Sequence, residues 1–178
     1  MIWDRDSLET ERLILRRFRR RDVAHLPALL NNWAIARWLA RVPYPYGAED
    51  ARSWVKLSRS ICRSRDGLPL AVVRREPKQL IGGVGVNFKN GEIGYWFGED
   101  YWGRGYATEA VSALTDRSFS RHAVSSLWAA VRPGNDASCK VLEKVGFRRQ
   151  GTREYTFRDG NVDALFFTLD RSTWQSKA

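Results

Sequence analysis

The sequence contains, at residues 102–110, the segment Trp102-Gly103-Arg104-Gly105-Tyr106-Ala107-Thr108-Glu109-Ala110. The residues before it, 92–97, are typical of a strand, and apolar residues follow it at helical spacing. A short loop with two glycines therefore joins the end of a strand to the start of a helix. This junction lies at the centre of the predicted fold.

The loop at this junction has the features of an anion-binding site. Backbone N–H groups at a helix start have no partner inside the helix, and the positive end of the helix dipole lies there. Glycines remove the side chains that would hold a phosphate away from those N–H groups. The sequence therefore predicts a cradle for a di- or triphosphate, although an ordinary tight connection can have the same pattern.

The second half of the chain resembles the GNAT N-acetyltransferase superfamily, and within it the RimJ/RimL-like branch. The acyl-CoA loop of that family has the pattern Gln/Arg-x-x-Gly-x-Gly/Ala, to which residues 102–107 correspond. The first position holds Trp102 instead, a departure that looks typical of the RimJ/RimL branch. A second block, NDASCKVLEKVGF at residues 135–147, is similar to the family's Asn-x-x-Ser…Glu-Lys-x-Gly-Phe motif.

The resemblance covers nearly the whole chain, from Glu9 onward. It implies acetyl-CoA as the cosubstrate. The residues that the resemblance implies for binding acetyl-CoA are Trp102, Gly103, Arg104, Gly105, Tyr106, Ala107, Thr108 and Asn135.

The predicted elements follow the order β-α-α-β-β-β-α-β-α-β-β within one domain at residues 1–178. Asp22 begins a helical segment that Pro27 shortens or bends. A later helix starts at Asn135 and ends at Gly146, which suits a left-handed stop. We therefore expect an α/β protein with a mixed, mostly antiparallel central sheet flanked by helices on both faces, as the resemblance also implies.

Composition narrows the class of protein. A hydrophobic content of 43% over 178 residues is typical of a globular domain with a full core. The sequence contains no apolar run of about 18 residues, so no membrane span is predicted. Residues 1–6 lack the apolar core of a signal peptide. Cys62 and Cys139 cannot make a disulfide framework, and with His25 and His122 they show no metal-ligand spacing. We expect a cytoplasmic protein without a metal.

The formal net charge of +10 would attract anions such as nucleic acid, acidic proteins or CoA itself. Because the charges are scattered, a solvated, arginine-rich surface is the simpler interpretation. The densest cluster, residues 16–21, could hold RNA phosphates, but a single short cluster has low specificity. Nucleic acid is therefore a secondary expectation.

Acyl transfer from a thioester to an amine requires a neutral amine and stabilisation of the negative charge that develops on the carbonyl oxygen. Glu92 is the candidate base, because it begins the strand that leads into the loop and the resemblance implies an acid near this position. It would act directly or through water; the alternative is a solvated carboxylate just after the Asn90-Gly91 turn. Strand alternation places Glu92 and Trp96 on one face and Tyr95 on the other.

Ser138 is the candidate acid. Many GNAT enzymes have a tyrosine seven residues after the asparagine, where it can protonate the thiolate, and here that position holds Leu142. In RimJ/RimL-like chains the serine of Asn-x-x-Ser hydrogen-bonds the thiolate instead, which the resemblance implies for Ser138. The alternative is a first-turn residue that satisfies a local N–H. Asn135 caps the helix, presents its amide to the pantetheine arm, or does both.

The sequence does not identify the acceptor amine. RimJ/RimL-like enzymes often acetylate protein N-termini, including those of ribosomal proteins, so the resemblance implies a protein or peptide acceptor. A small-molecule amine or an amino acid is the alternative. The aromatic segment 33–46 could wall an acceptor pocket, and the charge of +10 would repel polycationic amines.

Two further possibilities concern partners. The GNAT family often forms homodimers, which the resemblance extends to this chain. A hypothesis of a different functional class is an RNA- or ribosome-binding module on a GNAT scaffold, without catalysis. Salt-sensitive RNA binding without acetyl-CoA binding would distinguish it from the enzyme.

Overall fold

The computed structural model describes residues 7–176; residues 177–178 and residues 1–6, the segment considered above for a signal peptide, lie outside the described part. The strands are β1 (Leu8–Glu9), β2 (Leu13–Arg17), β3 (Leu70–Arg74), β4 (Gln79–Val86), β5 (Ile93–Phe97), β6 (Ser126–Val131), β7 (Arg148–Phe157) and β8 (Gly160–Asp170). The α-helices are α1 (Leu26–Leu30), α2 (Trp33–Ala36), α3 (Ala48–Ser64), α4 (Tyr106–Arg121), α5 (Asp136–Val145) and α6 (Arg171–Gln175). Short 3₁₀ helices occupy Arg20–Ala24 and Glu99–Tyr101. Among the described residues, no helix combines the length and the apolar character needed to cross a membrane.

The strands form two antiparallel sheets. β1 to β5 lie side by side in chain order, and β6, β8 and β7 form the second sheet in that spatial order. A parallel bridge between Glu92 and Trp128 connects the two sheets, and the Trp128 N–H donates to the Gly91 carbonyl at 2.9 Å. The predicted α/β class is confirmed, but the expected central sheet is divided where β5 and β6 part.

Helices cover both faces of the five-stranded sheet, as predicted. One core cluster contains Leu15, Ile93 and Phe97 together with Val111 of α4 and Leu142 of α5. The other cluster packs the opposite face against α1, α2 and α3; its buried members are Phe18, Leu26, Leu30, Ile35, Tyr46, Ala51, Val55, Ala71, Val73 and Leu80. The sheet therefore separates two helical layers.

The segment from Asp22 to Leu30 is bent, as Pro27 predicts. The chain forms a 3₁₀ turn at Arg20–Ala24 and then α1, with Pro27 in the first turn of that helix. A first-turn residue needs no intrahelical N–H bond, so proline fits there. The Asp22 carboxylate accepts a hydrogen bond from the Arg19 N–H at 2.7 Å, which stabilises the start of the turn.

Strand β5 follows the predicted alternation. Ile93 and Phe97 are buried in the cluster beneath α4, and Tyr95 packs against the same cluster. Trp96 packs against the cluster beneath α1 to α3. The two faces of β5 therefore contact different helical layers. Glu92 and Tyr95, which are three residues apart, project to opposite faces for the same reason.

Candidate active site

One edge of β5 lies open beside β6. The Gly98 N–H donates to Ile81 on β4 at 2.9 Å, whereas the Phe97 carbonyl accepts from Trp102 Nε1 at 2.8 Å on the opposite side. In an antiparallel strand, successive residues direct their backbone groups to alternate neighbours. The backbone N–H and C=O of Tyr95 therefore point, like those of Phe97, into the gap between the two sheets.

The glycine loop follows directly after this edge. Gly103 and Gly105 have φ values of 71° and 79°, in the left-handed region that favours glycine. Gly105 is the N-cap of α4 without a side-chain cap, and the Glu109 N–H makes the first bond back to it, at 3.1 Å. The N–H groups of residues 106–108 are thus available to an anion. Trp102 takes the family position of Gln or Arg, and its indole binds the carbonyl at the strand end.

Glu109 and Arg12 support this loop through a set of hydrogen bonds, which we call the brace. The Glu109 carboxylate accepts from Thr10 Oγ1 at 2.6 Å and from the Arg12 N–H and Nε at 2.9 Å and 2.7 Å. Burial raises the pKa of Glu109, but the bonds from Thr10 and Arg12 outweigh it and hold the pKa below its usual value. Arg12 also donates to the Arg104 carbonyl at 2.9 Å. Sequence reasoning missed these contacts, because Arg12 and Glu109 are 97 residues apart.

The start of α5 brings Asn135 and Ser138 to the gap. Asn135 Oδ1 accepts from the Ser138 N–H at 3.2 Å, so Asn135 is the predicted helix cap. The Tyr95 hydroxyl lies 2.8 Å from Ser138 Oγ and donates to the Ser138 carbonyl at 3.1 Å. Burial raises the pKa of Tyr95 well above its ordinary value, against a smaller opposing effect of the bond with Ser138. A neutral phenol therefore adjoins the candidate acid, a pairing that sequence reasoning missed.

Glu92 lies on the other face of β5 with two partners. Tyr155 donates to Glu92 Oε1 at 2.5 Å, and Arg41 Nη2 donates to Oε2 at 3.0 Å and to the Tyr155 hydroxyl at 2.7 Å. The Glu92 side chain is 13% exposed, whereas that of Arg41 is 70% exposed. Burial and the bond to Glu92 raise the pKa of Tyr155, which keeps it a neutral donor. Glu92 is thus an oriented carboxylate, and its two partners were not predicted.

Segment 33–46, which was considered above as a wall for an acceptor, carries two exposed aromatic residues besides Arg41. The rings of Trp33 and Tyr44 lie 5.2 Å apart, and the Arg158 guanidinium lies 5.1 Å and 5.8 Å from their centroids. Trp33 and Tyr44 are 50% and 42% exposed. The loop after α2 meets β7 at Glu92 through Arg41 and Tyr155, and the rings of Trp33 and Tyr44 leave apolar surface facing solvent.

The predicted site residues thus fall into two groups. The loop residues 102–108, Asn135 and Ser138 border the gap on the side of α4 and α5, while Glu92 projects to the opposite face of β5. Within residues 7–176, no group of three or more His, Cys, Asp or Glu side chains is arranged to hold a metal ion.

Comparisons with known proteins agree with this geometry. A family model described as "Acetyltransferase (GNAT) domain" matches residues 12–148. The uncharacterized N-acetyltransferase YoaA of Bacillus subtilis (strain 168) is 30% identical over 159 residues, which cover 86% of this chain and 89% of YoaA.

Two solved structures share the fold at low sequence identity. The ribosomal L7/L12 alpha-N-protein acetyltransferase RimL in complex with coenzyme A has a TM-score of 0.80 and 19% identity, over 92% of this chain and 97% of that one. The microcin C7 self immunity acetyltransferase MccE, in complex with acetyl-CoA and AMP, has a TM-score of 0.80 and 17% identity, over 90% and 93%. This chain belongs to the GNAT acetyltransferase family. It is accordingly an enzyme that transfers an acetyl group from acetyl-CoA.

Proposed function

We propose that the enzyme acetylates the N-terminal amine of a protein or peptide. The observation that carries this proposal is the Glu92 carboxylate, which Tyr155 and Arg41 orient beside residues 33–46, a segment that exposes the rings of Trp33 and Tyr44. A carboxylate attracts the ammonium form of an amine and accepts its proton. The exposed rings offer surface for the chain that follows an N-terminal residue.

Acetyl-CoA binds in the gap between the sheets in this proposal. Its pyrophosphate contacts the N–H groups of residues 106–108, where the helix dipole and the glycine loop favour an anion. Its pantetheine arm runs along the open edge of β5 and meets the Asn135 amide, whose oxygen caps α5 while its NH₂ group is directed to the ligand. Trp102, Gly103, Arg104 and Gly105 shape the mouth of the cradle.

The two faces of β5 then divide the chemistry. Glu92 takes the proton from the ammonium, directly or through water. The route through water is included because about 10 Å separates positions 92 and 95 along a strand. The amine nitrogen forms a bond with the thioester carbon, and the Tyr95 N–H stabilises the oxygen as charge develops. When the C–S bond breaks, the Ser138 hydroxyl donates a hydrogen bond to the departing thiolate, and the Tyr95 hydroxyl, 2.8 Å from Ser138 Oγ, donates to that oxygen. The thiolate takes up the proton that the amide nitrogen releases.

The comparisons and the charge favour a peptide acceptor. RimL, whose fold is similar, acts by its name on the N-terminus of a protein. The net charge of +10 disfavours polycationic small molecules. A small-molecule amine or an amino acid is the competing acceptor, and MccE, an immunity acetyltransferase, is a relative by fold whose name does not indicate a protein acceptor. A cytoplasmic location remains a prediction.

The test is thiol release from acetyl-CoA with matched acceptors. A lysine-free peptide with a free N-terminus should be acetylated, and the same peptide with a blocked N-terminus should not. Free amino acids, small monoamines and spermidine complete the panel. Faster turnover of a small amine than of every free peptide would replace the proposed acceptor, and absence of turnover on all of them would remove the peptide proposal.

The cradle is tested separately by acetyl-CoA binding. Gly105→Val should abolish binding, because a branched side chain is strained at φ 79° and its Cβ would lie 3.3 Å from Arg12 Nη2, which would displace the loop. Gly151→Val is the matched control, since Gly151 is also exposed with positive φ, at 117°, but lies on β7. Equal affinity of Gly105→Val and wild type would show that the pyrophosphate binds elsewhere.

A further inference from the structure

A basic cavity lies on the face of the sheet that α3 covers. Its volume is about 280 Å³, and the residues that line it are Arg17, Phe18, Arg19, Arg20, Arg59 and Arg63. Five of these six residues carry a guanidinium group, and the lining contains no carboxylate. Phe18 is only 3% exposed, so the accessible wall of the cavity is formed by cations.

Three of these arginines lack the carboxylate partners found for other arginines. Arg16, one residue before the cavity in sequence, is paired with Asp22 at 2.7 Å. Arg132 is paired with Asp159, also at 2.7 Å. Among the ion pairs of residues 7–176, by contrast, none includes Arg20, Arg59 or Arg63. Several like charges around one concave space repel one another, and a polyanion would relieve that repulsion.

The positive surface continues along α3 beyond the cavity. Arg52, Lys56, Arg59 and Arg63 are exposed, and spacings of four, three and four residues place them on one side of the helix. At a rise of about 1.5 Å per residue, this stripe is about 16 Å long. A single phosphate would fill only one end of it, whereas an extended chain of phosphates would contact its whole length.

The stripe is separate from the acetyl-CoA cradle. α3 packs on the core cluster that contains Ala51 and Val55, whereas α4, whose start forms the cradle, packs on the other face of the sheet through Ala110 and Val111. The inference therefore does not depend on the proposed acceptor, and the two can fail independently.

We propose that the cavity and the α3 stripe bind the phosphate backbone of a single-stranded nucleic acid. Guanidinium groups match phosphate oxygens in a bidentate geometry, which favours phosphates over the less regularly spaced carboxylates of an acidic protein. Because the one aromatic ring of the lining is buried, the site offers no stacking surface for bases. Binding is therefore independent of base sequence and strongly dependent on salt.

The experiment measures fluorescence anisotropy of a labelled 20-nucleotide oligo-U RNA, and of the equivalent oligo-dT, with the full-length protein. The test variant is Arg59→Gln/Arg63→Gln, which removes two exposed cations one helical turn apart. Lys140→Gln/Lys144→Gln is the matched control, because it removes two exposed cations at the same spacing on α5. Thermal unfolding and its shift by acetyl-CoA confirm that each variant is folded.

The expected result follows from counterion release. With about 0.7 counterions released per contact on a single strand, losing two contacts lowers the slope of log affinity against log salt by about 1.4. Between 1 M and 0.1 M salt, the affinity of wild type should therefore rise about 25-fold more than that of the variant. The control pair should change the affinity little, and saturating acetyl-CoA should not displace the oligonucleotide. Comparison of oligo-U with oligo-dT identifies which nucleic acid is preferred.

Four outcomes would overturn the proposal. Absence of salt-dependent binding at low salt would remove it outright. An equal loss in both double variants would show general attraction by a basic protein rather than a site. Competition by acetyl-CoA would place the oligonucleotide in the cradle on α4. Displacement by tripolyphosphate or poly-glutamate as effective as by unlabelled RNA would assign the cavity to another anion.

Discussion

Two arginine–carboxylate pairs of this enzyme differ in what surrounds them. Arg16 holds Asp22 with two parallel bonds of 2.7 Å and 2.8 Å, and the two side chains are only 8% and 2% exposed. Arg41 holds Glu92 with one bond of 3.0 Å, and the Arg41 side chain is 70% exposed. The buried pair fixes a turn between β2 and α1, whereas the second pair, with an exposed arginine and a Glu92 side chain that is 13% exposed, is the one that we propose to meet the incoming amine.

The comparison teaches that the partners of a carboxylate, rather than its residue type, separate Asp22, which supports the fold, from Glu92, which we propose as the base. Burial raises the pKa of Asp22, but the bonds from Arg16 and from the Arg19 N–H outweigh it and keep the pKa below its ordinary value. Asp22 therefore stays ionised and unavailable for proton transfer near neutral pH. Glu92 has one donor on each oxygen, and each carboxylate oxygen can accept a second hydrogen bond.

The largest effect is expected where the buried pair is broken. Asp22→Asn leaves the Arg16 charge buried without a partner and should lower the free energy of unfolding by about 3–5 kcal/mol. Urea denaturation measures this loss. Glu49→Gln breaks the exposed pair with Arg52 and should cost about 1 kcal/mol at most. Equal losses in the two variants would contradict the structural role of Asp22.

The penalty of Asp22→Asn should also depend on pH. Because the pKa of Asp22 is lowered in the folded state, its carboxylate stabilises the fold above the unfolded pKa of about 3.9. That stabilisation is lost as the pH falls through the folded pKa. The difference in unfolding free energy between wild type and variant should therefore shrink below about pH 4. A difference that stays constant down to acidic pH would argue against the ion pair.

The next largest effect is expected for Glu92→Gln, which should lower turnover rather than stability. Loss of a general base should reduce turnover by about 100-fold or more. The affinity for acetyl-CoA should change little, because the cradle lies at the start of α4. The deficit should become smaller at high pH, where the amine is already neutral. Wild-type turnover at neutral pH would leave Glu92 as a residue that follows a hairpin turn.

Sequence reasoning identified local features well and tertiary partners poorly. The left-handed stop at Gly146, the Asn135 cap and the alternation of β5 depend on neighbouring residues, and the structure confirms their geometry. The arginines of residues 16–21 looked alike, yet Arg16 is buried against Asp22 rather than exposed for RNA. Which charge becomes buried depends on how the turn packs, and the local sequence does not encode that.

The division of the sheet was missed for a similar reason. Strand propensity predicts β5 and β6, but nothing in their sequences states where two neighbouring strands stop pairing. The partners of Glu92 are also distant, since Arg41 and Tyr155 lie 51 and 63 residues away. The sequence therefore predicted which residues are candidates, and only the fold shows how they are held.

A smaller effect is expected at the neutral pair on the other face of β5. Ser138→Ala should reduce turnover by about tenfold to 100-fold, because a thiolate is already a fair leaving group near neutral pH. Tyr95→Phe should give a similar loss, and the double variant should lose little more, since the two hydroxyls act as a unit 2.8 Å apart. Single-turnover rates measure all three. If the losses of turnover in Ser138→Ala and Tyr95→Phe were fully additive in the double variant, the two hydroxyls would act independently.

The smallest effect is expected for Arg41→Gln. An exposed arginine contributes little to holding a carboxylate, and Tyr155 still donates to Glu92, so kcat/KM should fall less than about tenfold. A steady-state assay with the best peptide measures it. A loss as large as that of Glu92→Gln would mean that Arg41 contacts the substrate, which would make the open pair part of acceptor recognition.

The brace formed by Glu109 and Arg12 bears on the order in which the protein folds. The hairpins β3–β4 and β4–β5 join neighbouring segments, whereas this brace joins residues 97 positions apart. Closing so long a loop carries an entropic penalty, so such contacts form after local ones. During refolding, circular dichroism should therefore recover before acetyl-CoA affinity does. The cradle is complete only when the first strands have docked, so ligand binding reports a late stage of folding.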